Sequence, residues 1–182
     1  MGSTYTALYC HVVWAAKGRA PMITPKMQPD LYRKIREKCR DLGVLVHALN
    51  GVSDHVHLVC SVPPTLALSE VAQGVKGSSS FHINHMIPSP GHLDWQEGYN
   101  ALTFRGSELA VVTLYVDRQA ERHARDKLSL TLERCGDEFE PSPAAANVIR
   151  ETPSAGYMSS ADDWDIPRLD DIAEQSFKAS RS

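Results

Sequence analysis

No apolar run in this chain is long enough to cross a bilayer, and its start lacks the basic-then-apolar order of a secretory signal. Gly2 and Thr6 fit a loose myristoylation pattern, but no second membrane signal stands near them. A cytoplasmic protein without a membrane partner is therefore expected. Cysteine is sparse: Cys10, Cys39, Cys60 and Cys135 include no close pair, which argues against a zinc knuckle and a disulfide framework and leaves buried, reduced thiols. There is no Walker phosphate loop and no internal repeat. At 182 residues the chain can bury one core-sized domain plus an appendage, which excludes a large multi-domain enzyme.

What is present is divided unevenly. The formal charge of −3 averages two unlike segments: residues 1–132 carry 14 Lys and Arg against 11 Asp and Glu, whereas residues 133–182 carry 5 against 11. The natural reading is a mildly basic domain over 1–132, compatible with a phosphate-bearing partner, and an acidic tail over 133–182. The tail holds Pro141, Pro143 and many acids without sustained periodicity, and is expected to wrap the surface or stay partly disordered.

Thr4 to Ala16 is rich in aromatic and β-branched residues and reads as a strand. From Gln28 to Leu42, Leu31, Ile35, Cys39 and Leu42 recur at helical spacing with a basic outside. Val44–Asn50 and His55–Val62 are strands joined by the turn-like Gly51-Val52-Ser53-Asp54. Leu66–Met86 reads as a second helix, Trp95–Phe104 as a fourth strand, and Ser107–Leu130 as a final helix with an N-cap at Ser107. The order βαββαβα predicts a ferredoxin-like α+β sandwich: a four-stranded antiparallel sheet with one open face, first and third strands central, and an additional C-terminal helix bearing a tyrosine.

On the third strand His55 and His57 are two apart, so both imidazoles share one face, while Val56, Leu58, Cys60 and Val62 line the other. Such a pair makes a bidentate metal site, yet an arbitrary His-x-His is more often two half-exposed histidines. Metal-dependent amidohydrolases need a barrel too large for this chain. The histidine-triad nucleotide hydrolases want a third histidine where Val59 stands. On the last helix Tyr115 and Gln119 are four apart, about 40° around the axis, so one face presents both. Singly, each is better explained as packing or solvated surface.

Together these residues resemble the single-tyrosine HUH transposases, the small insertion-sequence transposases and their REP-associated relatives. The resemblance runs from about Tyr5 to about Asp126, through HVVWAAKGR at 11–19, NGVSDHVHLV at 50–59, VKGSSS at 75–80, WQEGY at 95–99 and YVDRQAERH at 115–123. It implies that His55, His57 and Gln119 hold a divalent ion, Mg²⁺ or Mn²⁺, with no nucleotide cofactor. It also implies that Tyr115 attacks a phosphodiester of single-stranded DNA to give a 5′-phosphotyrosine that is later rejoined, that hairpin ends are recognised, and that a homodimer forms. Whether Tyr115 serves its own chain or a neighbour is left open by the sequence.

A free phenol ionises near pH 10, so Tyr115 needs help to lose its proton. The ion is the first candidate, with His11, Asp54 and His123 as supporting residues, His11 lying on the Tyr9 face of the first strand. DNA phosphate contacts are expected from Lys17, Arg19, Lys76 with Ser78, Arg118 and Arg122. Trp95 and Tyr99 are better assigned to packing than to base stacking. Two rivals keep the same fold: a domesticated REP-associated relative acting on host repeats, and a non-catalytic single-strand nucleic-acid binder or transcriptional regulator.

Overall fold

A computed structural model of the protein describes residues 5–87 and 91–135. Its four strands are β1 (Tyr9–Ala15), β2 (Leu45–Gly51), β3 (His55–Ser61) and β4 (Asn100–Phe104). They form one antiparallel sheet in the order β2-β3-β1-β4. The α+β architecture expected from the element order is thus present, with β1 and β3 central.

Helices α1 (Gln28–Asp41) and α2 (Leu68–Met86) cover the apolar face. The stripe Leu31, Ile35 and Cys39 of α1 packs with Val71, Val75 and Ile83 of α2 against Val12, Trp14, Val56, Leu58 and Cys60 of the central strands. Burying each large aliphatic side chain there stabilises the fold by roughly 1.5–3 kcal/mol. α1 stops where Gly43 takes a left-handed conformation, φ 71°, and lets the Val44 N–H reach back to the Cys39 carbonyl at 2.8 Å.

Register between β1 and β3 fixes the opposite face. Val13 lies across from His57 and Ala15 from His55, while His11 faces Val59. The β2–β3 hairpin is tight: a Cβ on Gly51 would come within 2.3 Å of the His55 carbonyl oxygen, so only glycine fits. β2 also shifts register between Val46 and Ala48, and the His47 imidazole at this irregularity meets Ser61 Oγ at 2.6 Å.

Two elements differ from the sequence reading. The fourth strand begins at Asn100 rather than Trp95, because the carbonyls of Gln96, Glu97 and Gly98 are taken by Lys76 Nζ at 2.6, 2.7 and 3.0 Å instead of by a neighbouring strand. Trp95 keeps one isolated bridge to Ala16 and packs edge-on to Trp14. The final helix is two: α3 (Leu109–Asp117) and α4 (Gln119–Ala124), separated at Arg118. The Asp117 carbonyl accepts from Asn50 Nδ2 at 2.9 Å, outside the helix, and just past the end of α4 Asp126 takes a left-handed conformation, φ 53°. Neither break carries the glycine or proline that would announce it. At the start of α3 the Arg105 N–H is capped by Glu108 Oε2, with no side-chain cap from Ser107.

The tail from residue 136 onward lies outside the described residues. Among the described residues no helix is long and apolar enough to cross a membrane.

Candidate active site

Period-two geometry on β3 sends His55 and His57 to the face away from α1 and α2, where α3 lies against β2 and β3. Both imidazoles are fully buried, as are Tyr115 and Gln119. The Tyr115 ring stands 6.4 Å from the His57 ring, centroid to centroid, within one chain.

Each imidazole is oriented through its Nδ1. His55 Nδ1 meets Asp54 Oδ1 at 2.8 Å, and the other Asp54 oxygen accepts from Arg19 Nε at 3.2 Å. His57 Nδ1 meets His11 Nε2 at 3.0 Å, with the two rings stacked 10° from parallel. A histidine that spends Nδ1–H on an orienting partner turns its Nε2 toward the site, which is the orientation metal-binding imidazoles adopt. His11 and Asp54, proposed as supporting residues from the sequence, occupy these two orienting positions. His123, the third, packs its ring 5.2 Å from that of His55.

Between the histidines and the tyrosine lies a residue that the sequence reading did not single out. Glu133 Oε2 is 3.0 Å from His55 Nε2, 3.4 Å from His57 Nε2 and 3.3 Å from His123 Nε2. Its Oε1 accepts from the Tyr115 hydroxyl and from Gln119 Nε2 at 3.1 Å. The Tyr115 oxygen in turn accepts the Ser129 N–H at 3.1 Å, and the Arg122 guanidinium sits 4.5 Å above its ring. A lone acid in an aperiodic stretch has no spacing signal, so nothing in the sequence marks it.

The electrostatics follow. Burial lowers the His55 pKa, but hydrogen bonds to Asp54 and Glu133 outweigh it and raise the value above normal. Burial lowers His57 despite Glu133, with the neighbouring His55 and His123 adding to the effect, and His11 is lowered further by burial and by His57. Burial, then the Glu133 hydrogen bond, holds the Tyr115 phenol well above its usual range. Burial alone would raise Glu133; the His55 hydrogen bond, the close His57 imidazole and the Tyr115 hydrogen bond instead hold it far below the carboxylate range.

These donors suit a cation. His55, His57 and Glu133 each offer a ligand atom, all within 4.8 Å of one another. Gln119 Oε1 is buried with no hydrogen-bond partner among the described residues, and His57 Nε2, equally buried, has only its 3.4 Å contact to Glu133. Buried polar atoms left this poorly satisfied call for a partner, and a divalent ion would serve the His57 nitrogen and the Gln119 amide oxygen together.

The expected DNA contacts are dispersed. Lys17 and Arg118 are exposed, Arg19 is paired with Asp54, and Arg122 covers Tyr115. Lys76 ties down three carbonyls, and Ser78 Oγ donates to the Val75 carbonyl at 3.4 Å.

The family model "Transposase IS200 like" matches residues 4–119. The ISDra2 transposase TnpA of Deinococcus radiodurans is 25% identical over 127 residues, spanning 66% of this chain and 89% of that protein. A crystal structure of a candidate transposase from D. radiodurans R1 superposes with a TM-score of 0.52 at 24% identity, covering 65% of this chain and 96% of the other. A REP-associated tyrosine transposase bound to a REP hairpin gives the same TM-score at 12% identity, over 91% and 96%. At these identities the two structures speak to the fold.

Proposed function

Because the chain belongs to the IS200-like transposase family, we propose that it cleaves and rejoins single-stranded DNA with Tyr115 as nucleophile and a divalent ion, Mg²⁺ or Mn²⁺, held by His55, His57 and Gln119. The observation that carries this reading is the convergence of the Tyr115 hydroxyl, His55 Nε2 and the Gln119 amide on one carboxylate within one chain. A group bridging the nucleophile and the imidazoles stands where a phosphate diester would have to stand.

The chemistry divides among the residues. Tyr115, as phenolate, attacks phosphorus; the P–O bond to the 3′ oxygen breaks, leaving a 5′-phosphotyrosine and a free 3′-hydroxyl. The ester conserves the bond, so a second 3′-hydroxyl can reverse the step and join different strands. When bound, the ion would withdraw charge from the non-bridging phosphate oxygens. Asp54 and His11 hold the two imidazoles in the tautomer that presents Nε2.

The REP-hairpin complex of the distant structural relative supports hairpin-bearing single strands as the substrate. With the tyrosine beside its own chain's histidines, the expected homodimer would hold two DNA ends together rather than complete the site.

The test is to incubate the protein with hairpin-bearing single strands from its own locus and Mn²⁺ or Mg²⁺, and to resolve a covalent protein–DNA adduct. The adduct is expected with wild type and absent with Tyr115→Phe. An adduct that survives this substitution removes the mechanism, as does its absence from wild type with either ion.

A further inference from the structure

The site as it stands cannot receive DNA. Tyr115, Gln119, His55 and His57 have no exposed surface, and the Glu133 carboxylate has a relative exposure of 11%. A polymeric substrate whose phosphorus must reach the Tyr115 oxygen needs that carboxylate gone. The cover is the segment that follows α4. It leaves the helix at the left-handed Asp126, donates the Ser129 N–H to the Tyr115 oxygen, and buries Leu132. Further along it packs Cys135 on Val13 and Ala15, on the same sheet face as the histidines.

We propose that Glu133 is a built-in occupant of the active site, holding the place of the scissile phosphate, and that residues 126–135 must withdraw before single-stranded DNA enters. The proposal rests on the nuclease reading above. Its support is the division of labour in the carboxylate: one oxygen faces three imidazoles and the other faces the nucleophile and Gln119. A phosphate diester presents its two non-bridging oxygens in the same way, with like charge. Carboxylate and phosphate therefore compete for one place, and the resting chain wins it intramolecularly.

Both elements of the latch lie beyond residue 119, where the family match ends. Asp126 supplies the bend, and Leu132 and Cys135 supply the anchors. A short segment held by two apolar side chains and a few hydrogen bonds opens at far lower cost than the core.

The test is hairpin-DNA affinity, by fluorescence anisotropy in EDTA so that cleavage does not intervene, for wild type, Glu133→Ala, Leu132→Ala and the charge control Glu121→Ala. If the open form is about a tenth of the resting population, removing the occupant tightens binding by up to about tenfold. Leu132→Ala, which keeps the charge but loosens the anchor, should move in the same direction. Glu121→Ala, an exposed loss of the same charge, should change affinity by less than about twofold. In wild type, adding the hairpin should speed hydrogen exchange of the Ser129 amide, a readout independent of any variant's folding.

Glu133→Ala binding no tighter than Glu121→Ala, or unchanged Ser129 exchange, overturns the proposal. So does a loss of Mn²⁺ affinity in Glu133→Ala without a gain in DNA affinity, since Glu133 would then be a fixed ligand. Tighter binding by Glu133→Ala and Leu132→Ala when no protein forms an adduct would support the occupant while removing the nuclease reading.

Discussion

Asn50 donates through Nδ2 to the backbone carbonyl of Asp117 at 2.9 Å, so the last residue of the tyrosine helix is tied to the strand that leads into the histidine hairpin. The same side chain accepts the Gly51 N–H through Oδ1 at 2.9 Å. One amide therefore sets the hairpin and the helix break in register with each other. Tyr115 and the histidines belong to distant stretches of chain, and this bond is a direct tether between them.

Asn50→Ala should leave the sheet intact and cost about 0.5–1.5 kcal/mol, the net value of a partly exposed hydrogen bond. A urea titration checks that figure. Adduct formation should fall by a larger factor than stability alone explains, because Tyr115 loses its placement.

Ion binding should raise the melting temperature of wild type, since the unsatisfied Gln119 Oε1 and the weakly satisfied His57 Nε2 gain a partner. At a concentration about 100 times the dissociation constant the gain is about 2.7 kcal/mol. Differential scanning calorimetry with and without Mn²⁺ measures it, and His57→Ala should lose most of the increment.

His11→Phe keeps a ring stacked on His57 but removes the Nε2 contact to Nδ1. Loss of an orienting partner weakens metal affinity by about 10–100-fold in comparable sites. Isothermal titration with Mn²⁺ should show a drop of that order, with a far smaller change in the thermal melt of the metal-free protein.

Lys76→Met removes an ammonium that three carbonyls share. Those acceptors lose a charged donor, and the loss of stability should be about 2–3 kcal/mol. Near-ultraviolet circular dichroism from Trp95, whose indole N–H donates to Ser79 Oγ at 3.2 Å, should flatten as the 96–98 turn loosens. If Lys76 acts chiefly as a tie, hairpin affinity measured below the melt should change little.

The sheet was legible because its faces differ chemically: alternation in β1 and β3 put Val12, Trp14, Val56 and Leu58 on one side and the histidines on the other. The stripe Leu31, Ile35 and Cys39 made α1 equally plain. What escaped were features set by long-range hydrogen bonds. Residues 95–99 have a strand's composition, yet Lys76 takes their carbonyls; residues 107–130 have a helix's composition, yet Asn50 takes the Asp117 carbonyl. In the site, strand and helix periods pair His55 with His57 and Tyr115 with Gln119. Glu133 belongs to neither period, and its place depends on Leu132 and Cys135 being buried, which a sequence read locally does not reveal.

The contact between Gly51 and the His55 carbonyl has a consequence for chain length as well as for residue type. The connection from β2 to β3 is closed so tightly that residues 52–54 act as a spacer of fixed length. If one residue gained or lost there moved β3 by one place against β2, both imidazoles would turn toward the apolar core. Insertions and deletions, tolerated in most surface loops, bear here on which face of the sheet the histidines occupy.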